Sequence, residues 1–298
     1  MLYNVPMTKI EKTKEKYGYL LLLPWIILFM VFFLFPLVYG IFVSFTNYSL
    51  GKMEFIGLEN YKNIFNDSAF WKSLLATILY CVLVIPFRVF IPLWAASILK
   101  QHGRKMNTFV KMLMYLPGVT CTVALVLSWD VLLFPNTGII NQIFIGFGFE
   151  RFSLFDSPYT SIPTISLLVI LCNLGSNLII FSGAINNIPN VYYENAELEG
   201  ASKKQQFFNI TLPLLNSTIV YTIITSTIAT LQIFVVPQLL TGGGPNYSTS
   251  SLLMLIYSSA FTRNQFGYAS AIGSILFIIN AVIAFAQYKT IQKETIEY

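Results

Sequence analysis

The sequence predicts an all-α protein that crosses a membrane about six times. Of its 298 residues, 55% are hydrophobic and only 10% are charged, whereas soluble domains carry about 25% charged residues. The mean hydropathy is +0.67. The apolar residues fall into long runs, and about 20 apolar residues are enough for one helix to cross the hydrocarbon core of a bilayer.

Six apolar runs are long enough to be transmembrane helices. Residues 1–16 and 289–298 are polar tails, and no small-residue cleavage site follows the first run, so the N-terminus does not have the pattern of a signal peptide. The segment Gly138–Gly148 is too short to cross and is expected to be interfacial or re-entrant. Within one transmembrane domain over residues 17–288, we expect spans at 17–45, 71–99, 108–134, 161–188, 214–240 and 266–288.

The basic residues predict the orientation of these spans. With both termini inside, 11 of the 18 Lys and Arg residues fall in cytoplasmic segments and 5 in external ones, counting Lys72 at the outer end of the second span as external, while Arg88 and Lys111 fall within spans. The positive-inside rule then puts both tails and residues 189–213 in the cytoplasm. Because the basic residues are scattered and flank apolar runs, nucleic acid is not an expected partner.

Few residues could support catalysis or metal binding. His102 is the single histidine, which excludes His-based triads and most zinc sites. Cys81, Cys121 and Cys172 lie inside apolar runs without the spacing of metal ligands. The run 242–245, Gly-Gly-Gly-Pro, lacks the Lys-Ser/Thr ending of a phosphate-binding loop and is expected to be an external turn. We therefore expect no catalytic, cofactor or metal site.

Residues 189–213 form the longest charged passage after the N-terminal tail that can fold as helix. Asn190 has the residue type of an N-cap, and Gly200 suits the position where a short helix must end. Ser202 can cap a second helix, which Pro213 then leads into the next apolar run. The pattern predicts two short helices joined by a tight turn at the membrane surface, a form suited to docking on a partner.

This loop resembles the cytoplasmic "EAA loop" of the permeases of binding-protein-dependent ABC importers. The pattern is Glu-x-Ala-x-x-Glu-Gly-Ala followed by Ile-x-Leu-Pro, with two departures: Asn195 stands where the family usually has Ala, and Glu199 where Asp is commoner. Neither departure changes the charge or the helix length. The matching positions are Glu194, Ala196, Glu199, Gly200, Ala201, Ile210, Leu212 and Pro213.

Two further segments resemble the carbohydrate-importer, MalF/UgpA-like branch of the same family. One is Leu240–Pro245, Leu-Thr-Gly-Gly-Gly-Pro, with Phe266–Ala271 after it; the other is Gly57–Tyr61, Gly-Leu-Glu-Asn-Tyr. The resemblance extends over nearly all of residues 17–288. It implies the type I ABC importer permease fold, also called MetI-like, in the cell membrane of a bacterium.

The resemblance also implies partners. The first helix of the loop is expected to dock in a cleft of an ATPase subunit, with Ala196, Leu198 and Ala201 as the packing residues and the carboxylates Glu194, Glu197 and Glu199 at the polar rim. Expected partners are a second permease of the same family, two ATPase subunits that hold ATP and Mg²⁺, and an extracytoplasmic solute-binding protein. No phosphate-binding loop occurs in this chain, so ATP hydrolysis is expected on another chain.

Polar residues inside the spans are candidates for the solute path, because such residues are costly in lipid. Asn173, Ser176 and Asn177 share one helical face in the fourth span, and the fifth span carries Ser226, Thr230 and Gln232. Each of these six could instead hydrogen-bond between neighbouring helices, and the sequence leaves the two roles open. Phe181 or Phe234 could supply an aromatic platform for a sugar.

Arg88 is the one arginine deep within a span. It could extend its side chain toward the membrane surface, pair with a residue of the partner subunit or bind an acidic group of the solute.

Taken together, the sequence predicts a non-enzymatic permease subunit of an ATP-driven importer for a sugar, an oligosaccharide or a related polyol. Two alternatives belong to other classes. A stand-alone secondary transporter is disfavoured because proton coupling uses acidic residues deep within the membrane, and Asp130, near the outer end of the third span, is the one acidic residue in the spans. A membrane scaffold or sensor would carry no solute at all.

Overall fold

A computed structural model describes residues 9–49, 51–100 and 103–292, and its regular elements are helical. Two isolated bridges, Thr46 to Phe55 and Ser49 to Lys52, tighten the loop before the third helix. Three π-helical turns, Met30–Leu34, Phe207–Thr211 and Ser258–Thr262, join α-helical segments. The α-helices are α1 Lys9–Phe29, α2 Phe35–Val43, α3 Glu59–Asn66, α4 Ser68–Lys100, α5 Arg104–Val119, α6 Thr122–Leu133, α7 Ile139–Gly146, α8 Pro158–Asn186, α9 Asn190–Leu198, α10 Lys203–Gln206, α11 Leu212–Leu214, α12 Asn216–Leu231, α13 Val235–Leu240, α14 Leu252–Tyr257 and α15 Phe266–Gln292.

The described residues contain five segments that are long and apolar enough to cross a membrane, and a bent pair of helices makes six. This confirms the all-α fold with about six spans. The five segments are Tyr19–Val43, Ser68–Lys100, Pro158–Asn186, Asn216–Leu240 and Phe266–Lys289. Helix α5 begins at Arg104, four residues before the expected start of the third span, and residues 101 and 102 lie outside the described part.

The third expected span, residues 108–134, is divided into α5 and α6, which meet at an angle of 95°. Thr120 and Cys121 have extended backbone between the two helices. Pro117 has no N–H for the carbonyl of Leu113 and its ring crowds that turn, so it weakens the end of α5 just before the break.

The span between residues 214 and 240 is also interrupted. Helix α12 ends at Leu231 and α13 begins at Val235, so 232–234 is not helical. The carbonyl of Ile233 lies in this break and has no helical donor. The hydroxyl of Ser251 donates to it at 2.5 Å. The break therefore has its backbone partner inside the protein.

The first membrane-spanning segment lies at the edge of the bundle. Almost all of Tyr19–Val43 is exposed, and Val43 is the one buried residue of α2. Its outward side chains are large and apolar, as at Phe32 and Phe33. The π turn before Pro36 shifts the backbone hydrogen-bond register where the proline lacks a donor. Such an apolar surface needs lipid or another protein around it.

Helix α8 is the centre of the bundle and packs between α4 and α5, while α12 packs against α4 and α15. Close approach of α8 and α5 depends on Gly175, where a Cβ atom would overlap the backbone of Met114 and Tyr115. Small residues of this kind allow two transmembrane helices to pack with their backbones in contact.

Gly175→Ala is expected to force α8 and α5 apart and to destabilise the protein by about 1–3 kcal/mol, the usual cost of overpacking. Gly183→Ala is the matched control on the same helix, because nothing lies within 4 Å of the Cβ position there. Alanine is the better helix former, so Gly183→Ala should be neutral or stabilising. Thermal unfolding in mild detergent measures both; equal midpoints for the two variants would contradict this packing.

Candidate coupling surface and translocation path

The coupling loop, residues 189–213, begins with a helix, α9, that is not capped as expected. The N-cap of α9 is Pro189, with extended backbone and no capping side chain, and not Asn190 as expected. Asn190 is already the first helical residue, because the extended conformation that a cap requires falls one residue earlier. Pro189 also separates α9 from α8, since a proline cannot continue the hydrogen-bonding pattern of a helix.

The C-terminal end of α9 follows the expected pattern. Gly200 has a φ of +78°, in the left-handed region that residues with a Cβ atom rarely adopt. The N–H of Gly200 donates to the carbonyl of Glu197 at 3.0 Å, and the N–H of Ala201 donates to the carbonyl of Ala196 at 2.8 Å. These two bonds form a Schellman motif, which satisfies the last carbonyls of the helix and reverses the chain.

The second helix of the loop is capped by Ser202, as the sequence predicts. The N–H of Gln205 donates to the hydroxyl of Ser202 at 3.3 Å, and the N–H of Ser202 donates to Oε1 of Gln205 at 2.7 Å. This reciprocal pair is a capping box. The chain then continues through α10, the π turn Phe207–Thr211 and α11 before α12 begins.

Helix α9 has an inner and an outer face. On the inner face, Tyr193 and Ala196 are half-buried, so Ala196 lies toward the bundle and not on the docking side where the sequence analysis expected it. On the outer face, Leu198 is 88% exposed, and Val191 and Tyr192 are also exposed. The outer face of α9 therefore presents large apolar side chains without a partner in the described part of the chain.

Tyr193 joins the inner face of α9 to the ends of the membrane-spanning helices. Its hydroxyl lies 2.9 Å from the hydroxyl of Thr211. The ammonium group of Lys100, the last residue of α4, lies 4.0 Å from the centroid of its ring, a cation–π contact. The same ammonium group donates to the carbonyl of Ile185 in α8 at 3.4 Å. Helix α9 is thus linked to three neighbouring segments.

An ion pair stabilises the turn between the two helices of the loop. Lys203 donates a hydrogen bond to Glu197, and this bond and the positive charge hold the pKa of the Glu197 carboxyl below its ordinary value. Both side chains are more than half exposed, so the pair adds little to stability.

A cavity of about 410 Å³, lined by Lys100 and Gln206 among others, separates the loop from the bundle. The loop is therefore fastened at a few points.

The remaining coupling candidates differ in exposure. Glu194, Glu199 and Pro213 are exposed, while Ala201 is half-buried behind Gly200. Ile210 and Leu212 are half-buried, and Leu212 packs against the cluster around Leu178 and Phe181. The outer face of α9 is available for docking, and Leu212 holds the loop to the bundle.

The polar residues of the spans meet where α4, α8 and α12 converge. Pro92 cannot donate to the carbonyl of Arg88 four residues earlier. Nδ2 of Asn177 donates to that carbonyl at 2.7 Å and lies 3.4 Å from the hydroxyl of Ser226. One amide on α8 therefore replaces a lost helical bond in α4 and contacts α12. Asn177 acts as a hydrogen-bonding link between helices in this structure.

The six path candidates divide into two groups. Asn177, Ser226 and Thr230 are buried between helices, and the hydroxyl of Thr230 donates to its own helix at the carbonyl of Ser226. Asn173 is half-buried, whereas Ser176 and Gln232 are exposed. Of the two aromatic candidates, Phe181 is fully buried and is not available as a platform, because it fills the core between α4 and α8; Phe234 is half-buried and lies against Tyr257.

The two broken spans lie close to this cluster. A Cβ atom on Gly118, just before the break between α5 and α6, would lie 3.4 Å from the carbonyl oxygen of Cys172, next to Asn173. The other break begins at Gln232, two residues after Thr230. Lipid cannot hydrogen-bond irregular backbone, so such breaks occur where they are buried in protein or line an aqueous cavity. The exposed side chain of Gln232 favours the cavity.

Sequence reasoning missed the link among Lys100, Tyr193 and Thr211. No local pattern carries that signal, because α5 to α8 lie between Lys100 and Tyr193 in the chain. Only folding brings the end of α4 under α9.

A bundle of partly interrupted spans, with a capped and exposed helix pair between two of them, is the architecture of a transport permease. The chain matches the family of binding-protein-dependent transport system inner membrane components over residues 14–293, and it belongs to that family.

Known proteins show the same relationship along the whole chain. The sulfoquinovosyl glycerol transport permease SmoG of Agrobacterium fabrum is 32% identical, covering 89% of this chain and 86% of its own. The multiple sugar-binding transport permease MsmF of Streptococcus mutans is 31% identical, covering 95% and 98%. The crystal structure of a bacterial alginate ABC transporter, in complex with a periplasmic protein that holds an alginate pentasaccharide, contains a chain with the same fold: its TM-score is 0.85 at 23% identity, covering 95% and 96%.

Asn177→Ala is expected to destabilise the protein by about 1–3 kcal/mol, because it leaves the buried carbonyl of Arg88 without a donor. The neighbouring exposed residue supplies the control, since Ser176→Ala should change stability by no more than about 0.5 kcal/mol. The midpoint of thermal unfolding in detergent measures both. A midpoint for Asn177→Ala equal to that of Ser176→Ala would show that the amide does not perform this bonding.

Proposed function

We propose that this chain is the permease subunit of an ATP-driven importer that carries a sugar, an oligosaccharide or a related polyol, and that α9 transmits the movement of the ATPase. The observation that carries the proposal is the two-faced form of α9. Its outer face is apolar and exposed at Leu198, and its inner face is linked to α4 and the segment before α12 through Tyr193.

A force applied to α9 would reach the spans through these links. Lys100 ends α4, and Thr211 lies next to α11, which leads into α12. The cavity behind the loop leaves space for α9 to move. Its links through Tyr193 would transmit that movement to the ends of these helices. Both helices also meet the polar cluster, because Asn177 of α8 donates to the carbonyl of Arg88 in α4 and lies next to Ser226 in α12. ATP-driven closure of an ATPase pair would then open or close the path at that level.

The proposal of a carbohydrate cargo is supported by the names of the relatives and by the polar groups of the spans. The names of two relatives specify multiple sugars and sulfoquinovosyl glycerol. Neutral hydroxyl and amide groups, as on the exposed side chains of Ser176 and Gln232, suit a solute with many hydroxyl groups.

The proposed assembly contains a second permease of this family, two ATPase subunits with ATP and Mg²⁺, and an extracytoplasmic binding protein. The binding protein would deliver solute to the external loops, including the polar surface around Glu59, Asp67 and Arg263. Both termini and the coupling loop would face the cytoplasm, as the distribution of basic residues indicates. This chain holds no cofactor in the proposal.

The energy source distinguishes the proposed importer, which uses ATP, from a secondary transporter, which uses an ion gradient. Uptake by the reconstituted complex should stop when ATP is removed and should continue when ionophores abolish ion gradients. A secondary transporter would show the reverse, and a scaffold or sensor would show no solute flux.

Gly200→Val should uncouple ATP hydrolysis from uptake. A β-branched residue in left-handed conformation costs about 1–2 kcal/mol, which is roughly a tenfold change in an equilibrium, and the turn that orients α9 would open. Glu199→Gln is expected to weaken docking at the polar rim, to a smaller extent. ATP-dependent uptake in proteoliposomes is the measurement.

The matched controls are Gly51→Val and Glu54→Gln. Gly51 also has a positive φ, +85°, and lies with exposed Glu54 in the loop predicted to be external. Both controls should keep uptake near the original level. Wild-type uptake in the Gly200→Val and Glu199→Gln variants, at equal protein level, would refute the coupling role of the loop.

A further inference from the structure

Arg88 places a positive charge deep within α4. At about 1.5 Å per residue it lies roughly 18 Å from Lys100 and about 30 Å from Ser68, the two ends of the helix. No arginine side chain reaches that far, so the guanidinium group stays at membrane depth. The lipid-facing side of α4 is formed by other residues, among them Phe90 and Trp94, each 64% exposed.

The guanidinium group points into the bundle, toward α8. Nη2 of Arg88 donates to Oδ1 of Asn173 at 3.2 Å. The amide of Asn173 is fixed in this orientation, because its Nδ2 donates to the carbonyl of Val169 at 2.8 Å. Arg88 is half-buried, so part of its side chain remains accessible.

The described part of the chain leaves this guanidinium group incompletely satisfied. An arginine has five N–H donors, and Asn173 is the one acceptor that the described residues offer within hydrogen-bond distance. Nε is buried and has no acceptor there. Charged groups within a membrane are costly unless they are paired.

No carboxylate of the described spans pairs with Arg88. Asp130 in α6 is the single acidic residue among the membrane-spanning helices between Tyr19 and Lys289. The ion pair that the described residues form, Lys203 with Glu197, lies in the coupling loop. A compensating negative charge can therefore come only from outside the described residues.

The surroundings of Arg88 favour the solute as the source of that charge. The carbonyl of Arg88 accepts from Asn177, which also contacts Ser226, so Arg88 belongs to the same polar cluster as the path candidates. Asn173 adjoins Cys172, whose carbonyl lies beside the break between α5 and α6. A guanidinium fork binds a carboxylate or a sulfonate through two parallel hydrogen bonds.

We propose that Arg88 and Asn173 form a binding site for an anionic group of the cargo, so that this importer carries acidic sugars, of the uronate or sulfonate type. The proposal rests on the proposed function, because it assigns the substrate class of that path. The remaining hydroxyl groups of the sugar would meet the neutral donors and acceptors of the same cluster.

The first test is a binding screen of the cognate binding protein against neutral oligosaccharides and their uronate and sulfonate counterparts. An anionic oligosaccharide should bind, and the tightest such ligand is then used for ATP-dependent uptake by the complete complex in proteoliposomes. Arg88→Gln should lower that uptake about tenfold or more, because a charge-assisted pair is lost. Arg88→Lys should retain part of it. A binding protein that accepts neutral sugars alone would overturn the proposal.

Two further variants keep the test decisive. Lys111→Gln removes the other basic residue within a span and should leave uptake unchanged. Asn173→Asp supplies a carboxylate to Arg88 within the protein and should lower anionic uptake while the complex still assembles.

The failures are distinguishable. If the wild-type complex carries no sugar with ATP, the proposed function fails. If anionic uptake persists in both Arg88→Gln and Asn173→Asp, this inference alone fails. If Arg88→Gln prevents assembly while Asn173→Asp leaves anionic uptake unchanged, Arg88 pairs with a carboxylate of a partner subunit, and the inference is likewise overturned.

Discussion

The structure depends on one constraint: within lipid, each backbone N–H and carbonyl group must find a hydrogen-bond partner inside the protein. Prolines and helix breaks within the spans interrupt that condition locally. Pro92 removes the donor for the carbonyl of Arg88, and Asn177 replaces it from α8. In the break between α12 and α13, the carbonyl of Ile233 has no helical donor, and the hydroxyl of Ser251 donates to it. Each repair connects one span to another segment, so the irregular points of the bundle are also its polar junctions.

This constraint also explains where a solute path can lie. Regular spans present side chains alone, whereas a broken span presents backbone groups that water or a solute can use. The breaks before α6 and after α12 lie near Asn173 and Thr230, and Arg88 adds a charge to the same region. The coupling loop is outside this region, but Tyr193 links it to α4, which contains Arg88. In the proposed function, the movement of the loop and the binding of solute in the path therefore both involve α4.

The sequence predicted those features that depend on neighbouring residues. Long apolar runs predicted the spans, and Gly200 and Ser202 predicted a turn and a cap, because each acts within about one helical turn. The choice of cap at Asn190 was wrong, since residue type alone did not show that the extended backbone falls on Pro189. The prediction that Phe181 could serve as an aromatic platform for a sugar was also wrong, because its burial depends on how α4 and α8 pack. The contact of Lys100 with Tyr193 depends on the complete fold in the same way.

The most direct test of the account is disulfide cross-linking of α9 to the ATPase in native membranes. Leu198→Cys lies on the outer face and Ala196→Cys on the inner face of the same helix. The account predicts that Leu198→Cys forms a disulfide with a single cysteine introduced into the cleft of the ATPase, and that Ala196→Cys does not. Cross-linking from Ala196→Cys alone, or from neither position, would contradict it. Both variants are made in a protein whose native cysteines are replaced, so that only the introduced cysteines can react; the native ones are Cys81, Cys121 and Cys172.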